Sequence, residues 1–256
     1  MKNIIINVDD LGFSSSVNKA VLNLAEKKRI QATSFMSLGD IHKDDVTALK
    51  HLNIEIGLHF DLTGLAQQGN LKQILFKTYL KQFPSQQLKD LIEHQFDEFE
   101  NKIGTIPDFI DGHQHVHQFP QVRQQLLSCI EQRYAKKIPI RNTSTYQKDL
   151  KAKIIFALGG FSLKQQLQQC HWPHNPSFAG IYNFKADFVG LKMLWQNWLK
   201  NAPNNSVIMC HPAKKIGDWN DEISEARYIE YQWLLSDDFE NLWNQYDCRA
   251  QHWQNL

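Results

Sequence analysis

Cysteine is scarce in this sequence. Cys129, Cys170, Cys210 and Cys248 lie far apart, and no two of them form a C-x-x-C pair. This argues against a zinc ribbon or a thioredoxin-type motif, and in a chain of 256 residues against a disulfide framework. The thiols read as reduced, in a cytoplasmic protein. No apolar run approaches ~20 residues, so no membrane span is expected. The opening "NIIINVDD" has neither the basic start nor the long apolar stretch of a signal peptide. Charge of one sign is also lacking. The formal net charge is +1, and the basic run that stands out is Lys27-Lys28-Arg29, placed where a helix should end and where a macrodipole accounts for it. A nucleic-acid partner is therefore not expected. No G-x-G-x-x-G follows the first apolar run, where "DDLGFS" stands instead, so a dinucleotide fold is disfavoured. Linkers rich in Pro, Gly or Ser, internal repeats and low-complexity tracts are missing too, which suggests one domain over residues 1–256.

A hydrophobic fraction of 42% with 21% charged residues is enough for a sizeable core. Strand and helix signals alternate. The β-branched "NIIINV" reads as a strand buried on both faces, and "SSSVNKAVLNLAEKK" as a helix capped by its serines. "QATSFMSL" and "IEIGLHF" read as strands with a helix between them over "DIHKDDVTALKHL". Residues 61–84 read as a long loop with some helix. In "QQLKDLIEHQFDEFENKIG", Leu88, Leu91, Ile92, Phe96, Phe99 and Ile103 share a helical face that Gly104 ends. "DFIDG" and "IPIRN" read as further strands around a helix at 120–135. A helix over about 148–169, an insertion loop at 170–185, a helix in "DFVGLKMLWQNWLK", a strand "NSVIMCHP" and a helix pair over 222–246 complete the pattern. Repeated strand-then-helix units predict parallel strands with crossover helices, here an α/β irregular (β/α) barrel. Trp195 and Trp198, at i, i+3, are expected in its core.

Four strands end in groups that ligate metals or carry protons: Asp9-Asp10, His59, Asp111 with His113, and His211. In a parallel barrel those ends meet at one mouth. Each residue alone has a plainer use, as a helix cap, a strand-end histidine or a turn residue; their joint placement carries the inference. In "DGHQHVHQFP", His113, His115 and His117 alternate, which on an extended segment would aim them one way. Adjacent extended Asp9 and Asp10 would point to opposite sides, so that one could bind an ion while the other takes a proton. A carboxylate with two imidazoles leaves open positions on a divalent ion, where a bound water is acidified, and His211 could protonate a leaving group. This suits hydrolysis of an amide or ester. The same ligands suit a non-haem iron oxidoreductase, and a carbohydrate-binding protein on a retired barrel is a non-enzyme alternative.

On these residues the chain resembles the YdjC-like carbohydrate deacetylases, the chitooligosaccharide deacetylases. The family's N-A-D-D-F-G is here "NVDDLG", its G-x-H-x-x-L-T "GLHFDLT", its D-S-H-x-H-x-H-x-x-P "DGHQHVHQFP", and its H-P-G "CHPA"; an R-x-x-E follows as Arg227 and Glu230. The resemblance implies an irregular barrel that hydrolyses an N-acetyl group from an amino sugar. It implies Asp10, His59 and His113 as ligands of a divalent ion, Mg²⁺ with Zn²⁺ as the alternative, Asp9 as catalytic base, His211 as acid, and a homodimer. His115 is expected to orient a ligand, and Asp111, Arg141 and Arg227 to support the site or touch substrate. Gly112 and Ala213 depart from the family's Ser and Gly. The loops at 61–84 and 170–185 are expected to set substrate choice, with Trp172, Phe178 and Tyr182 as candidates for stacking on a sugar or for simple packing.

Overall fold

The computed structural model describes residues 1–215 and 221–256. Its first half runs β1 (Lys2–Leu11), α1 (Ser15–Glu26), β2 (Ala32–Phe35), α2 (Lys43–His51), β3 (Glu55–Phe60), α3 (Leu71–Tyr79), α4 (Ser85–Ile103), β4 (Ile110–Gly112) and α5 (Pro120–Arg133). The second half adds α6 (Leu150–Ile155), α7 (Phe161–Gln169), β5 (Ser177–Ala179), α8 (Phe188–Asn201), β6 (Ser206–Cys210), α9 (Ser224–Leu235), α10 (Asp237–Gln245) and β7 (Cys248–Ala250).

The strand order is β4-β3-β2-β1-β6-β5, with β7 on the first residues of β1, and every pair is parallel. β1 is flanked on both edges, which is why Ile4, Ile5, Ile6 and Val8 are fully enclosed and why the run carries no alternation. Isolated parallel bridges Ile110–Ile140, Ile140–His174 and Thr145–Phe178 carry the pairing onward from β4 towards β5. The sheet is thus a curled parallel half-barrel with helices outside, the irregular (β/α) architecture expected. The helices follow their local chemistry. Ser14 caps α1 by accepting from the Val17 N–H, and Gly104 ends α4 at φ 78°, a left-handed conformation that a side chain disfavours. Leu88, Ile92, Phe96, Phe99 and Ile103 bury one face of α4, and Phe99 meets Phe35 of β2 with ring centroids 6.0 Å apart. Truncating such a buried phenylalanine to alanine costs about 3–5 kcal/mol. Trp195 and Trp198 are core residues. Among the described residues no helix is long and apolar enough to cross a membrane.

Three segments differ from expectation. Residues 138–142 make single bridges rather than a strand, because Pro139 lies within the short apolar stretch and removes a ladder donor. The "insertion loop" at 170–185 contains β5, which pairs with β6 and belongs to the sheet. The 148–169 helix is broken into α6 and α7 by a π-type turn at Phe156–Gly160, where Gly159 adopts φ 155° and a Cβ would lie 2.4 Å from the Gln118 carbonyl oxygen. Residues 61–84, expected as a long loop with some helix, hold α3, which an Asn70–Gln73 capping box starts.

Candidate metal centre and active site

β1 delivers two adjacent carboxylates to the rim. They do not splay as an extended pair would. Register slips between Val8 and Leu11, and Asp10 turns to φ 69°. Aspartate tolerates this region because its short side chain bonds locally, at a cost of order 1–2 kcal/mol. Both carboxyl groups therefore reach the same pocket, each to a different partner.

The Asp10 Oδ1 lies 3.3 Å from His59 Nε2 and 3.1 Å from His113 Nδ1. The three ligand atoms fall within 4.8 Å of one another, and so do those of a second set, Asp9, His59 and Asp111. The second set already has a cation: the Arg141 guanidinium reaches both Asp9 and Asp111. The first set is the candidate metal centre. His59 donates from Nδ1 to Asp111 Oδ1 at 2.6 Å, which fixes its tautomer and leaves Nε2 towards Asp10. Asp111 is held in turn by Ser34 Oγ at 2.6 Å and Arg141 Nη2 at 2.5 Å. Burial opposes a charged His59, but Asp111 and Asp10 raise it to about 10. A proton and a cation thus compete for one position. One carboxylate oxygen and two imidazole nitrogens, one of them backed by a carboxylate, are a donor set that fits a divalent ion.

Asp9 is buried and gripped by both Arg141 nitrogens at 2.7 Å, with Asn7 Nδ2 at 2.9 Å. Burial works against the charge, yet Arg141 holds this carboxyl well below the usual carboxylate range. Asp9 is therefore ionised, oriented and hydrogen-bonded at the same time. Across the pocket His211 Nε2 stands 3.9 Å from Asp9 Oδ2. Burial pushes the His211 imidazole down to about 4, so it is neutral at pH 7. Its Nδ1 has no partner among the described residues, and its edge meets Phe184 at 5.3 Å between centroids.

α9 secures both sides of the rim from one face. Arg227 donates to Asp10 Oδ2 at 2.7 Å and to Asp221 at 2.7 Å. Three residues on, Glu230 accepts from the His211 backbone N–H and from the Tyr182 hydroxyl, the latter at 2.7 Å. Burial pushes the Glu230 carboxyl up to about 7. Arg141 and Arg227 thus support Asp9 and Asp10 respectively, and Asp111 supports His59.

The histidine triplet does not alternate. Residues 113–118 form a tight 3₁₀ segment in which Gln114 and His115 take φ 50° and 61°. His113 faces Asp10. His115 instead packs edge-on against Phe178 at 5.7 Å and is kept neutral by burial; among the described residues its Nδ1 has no hydrogen-bond partner. His117 takes a supporting place through its Nε2 bond to the Arg141 carbonyl at 2.9 Å. Gly112 leaves little room for the family's serine, since a Cβ there would sit 3.0 Å from His117 N and Nδ1. Trp172, Phe178 and Tyr182 are buried, and Trp172 donates to the Ile138 carbonyl, so these rings pack the fold. Ser34 and Asn7 were not singled out from the sequence, nor was the pairing of Tyr182 with Glu230. Polar residues inside otherwise apolar strands, as Asn7 and Ser34 are, were the available signal.

A parallel barrel that collects a carboxylate, two imidazoles and a second, arginine-held carboxylate at its rim defines the layout of a metal-dependent hydrolase. The chain belongs to the YdjC-like protein family, whose model matches residues 3–245. It is 26% identical over 226 residues to a carbohydrate deacetylase of Vibrio parahaemolyticus, covering 82% of this chain and 78% of that protein. It is 25% identical over 130 residues to a chitooligosaccharide deacetylase of Citrobacter koseri, covering 46% of this chain and about half of that protein, 52%. A solved protein of Enterococcus faecalis V583, proposed to cleave cellobiose phosphate, has the same fold: TM-score 0.71, 17% identity, covering 100% of this chain and 98% of that one.

Proposed function

We propose that this chain is a metal-dependent hydrolase that removes the N-acetyl group from an amino sugar or a short oligosaccharide such as a chitooligosaccharide. The observation that carries the reading is the convergence of Asp10, His59 and His113 beside the Arg141-held Asp9. Family membership and the relatives named carbohydrate and chitooligosaccharide deacetylase support it.

Asp10, His59 and His113 would hold the ion, which when bound acidifies a coordinated water and polarises the acetyl carbonyl. Asp9, ionised by its arginine, takes the proton of the attacking water. Arg141 keeps the Asp9 carboxylate aimed while that proton arrives. His211 Nε2, a short shift from Asp9, relays a proton to the leaving amine nitrogen. Protonated nitrogen leaves as the free amino sugar, with acetate as the second product. The ion expected by resemblance is Mg²⁺; two imidazole donors also suit Zn²⁺. We further read residues 1–256 as one domain, located in the cytoplasm and paired as a homodimer, which sedimentation analysis tests.

The test is acetate release from N-acetylglucosamine and its oligomers, with the protein loaded separately with Mg²⁺ and Zn²⁺ under anaerobic conditions. Turnover that Asp9→Asn abolishes is the expected result. Absence of acetate across amino-sugar substrates refutes the reading. Oxygen-dependent product would favour an iron oxidoreductase instead, and sugar binding without turnover in the parent a binding-only barrel.

A further inference from the structure

The loops after β1 and β2 line a cavity of about 630 Å³ on the same rim as the site. That volume lies inside the ~300–1,000 Å³ typical of small-molecule pockets. Phe13, Ser15, Lys19, Asp40, Ile41 and Asp45 line it. Phe13 joins it to the metal centre: its N–H bonds the Asp10 carbonyl at 3.0 Å, and the Arg227 guanidinium that grips Asp10 lies 5.2 Å from its ring centroid.

The floor is built rigidly. Asn18 is buried; it accepts from the Gly12 N–H at 2.7 Å and donates to the Asp40 carbonyl at 2.8 Å, tying the two loops together. The loops approach so closely at Gly39 that a Cβ would lie 2.1 Å from the Gly12 carbonyl oxygen. Among the described residues, the side-chain heads of Lys19, Asp40 and Asp45 make no ion pair, although opposite charges line one cavity. The cavity therefore offers donor and acceptor capacity held apart, beside apolar Phe13 and Ile41. Two carboxylates oppose an anionic ligand. A neutral pyranose has the complementary chemistry: hydroxyls that both donate and accept, and a C–H face that rests on an aromatic ring.

We propose that this cavity is a subsite for the non-reacting sugar units of an oligosaccharide whose acetylated unit sits at the metal centre, so that the enzyme discriminates by chain length. The proposal rests on the deacetylase reading. Its test is Ser15→Trp, an exposed substitution in the first turn of α1 that fills the cavity without entering the core. Parent and variant are compared as the ratio of kcat/KM for the N-acetylglucosamine tetramer to that for the monomer. The parent is expected to favour the tetramer by roughly tenfold or more, the worth of a hydrogen bond or two and a stacked face. The variant should lose most of that ratio through KM. A ratio that Ser15→Trp leaves unchanged overturns the subsite while leaving the deacetylase reading standing. If the parent releases no acetate, calorimetric binding of the intact, neutral N-acetylglucosamine tetramer decides the subsite separately: loss of binding in Ser15→Trp supports it, and equal binding in both proteins, or none in the parent, overturns it.

Discussion

Arg141→Met is the most direct perturbation of the site's electrostatics. The guanidinium is fully buried and makes three charge-assisted contacts, two to Asp9 at 2.7 Å and one to Asp111 at 2.5 Å. Methionine keeps an apolar stem of similar reach but leaves the enclosed Asp9 without its gripping cation and Asp111 with His59 alone. Breaking a buried pair in this way costs about 3–5 kcal/mol, a large share of the ~5–15 kcal/mol that holds a typical domain. At ~2–4 °C per kcal/mol for a chain of this size, Tm should fall by roughly 6–20 °C. The assay is urea unfolding with a chelator present throughout, so that bound ion adds nothing to the difference. Asp9→Asn in the same background removes one stranded charge. The double variant should then be more stable than the sum of the single effects by about 1–3 kcal/mol, with Asp111 keeping the rescue incomplete. Arg141→Lys should recover only part of the loss, because an ammonium cannot fork across two carboxylates. A loss below about 1 kcal/mol in Arg141→Met, or strict additivity in the double variant, would refute the claim that this arginine is the countercharge of the pocket.

Two further outcomes follow from the same geometry. Glu230 keeps its proton up to about 7 in the fold, against 4.5 as its ordinary value, so its contribution to stability is full below about 4.5 and is lost as pH rises towards 7. Glu230→Gln should remove that slope, at most about 1.4 kcal/mol per pH unit, so that the variant gains on the parent between pH 5 and 7 in Tm measurements; parallel curves would contradict the assignment. Asp111→Asn should weaken divalent-ion binding by about 10–100-fold in calorimetric titration, because it loosens the carboxylate that fixes the His59 tautomer, whereas unaltered affinity would place the ion elsewhere.

Much of this molecule is legible in its sequence where one local rule governs. The apolar spacing of α4, the serine before α1 and the β-branched run of β1 each follow from period or capping chemistry. The strand-end Asp10, His59 and His113 were legible because parallel topology alone brings strand ends together. What escaped depends on partners far along the chain. Arg141 was expected near the site, but nothing local marks it as the grip on Asp9, 132 residues away. β5 and the bridge at Ile140 are too short and proline-bordered to alternate, and only the neighbouring strands give them their place. The left-handed turns at Asp10 and at Gln114–His115 overrode the two-residue alternation assumed for extended chain, and they set the His115 ring edge-on against Phe178.

The position of β1 has a consequence for how the molecule is made. It precedes the other described strands in sequence; β2 pairs with it early, but its β6 edge and its β7 contacts form only with the last third of the chain, and its Asp10 is gripped by Arg227, 217 residues later. Contacts so distant in sequence slow folding, because a long loop must close before they form. A growing chain therefore carries an apolar strand with one open edge, and an Asp10 without its arginine, until α9 has left the ribosome. Conditions that stall translation before residue 227 should expose that strand to aggregation and chaperone capture, well before any enzymatic defect could be measured.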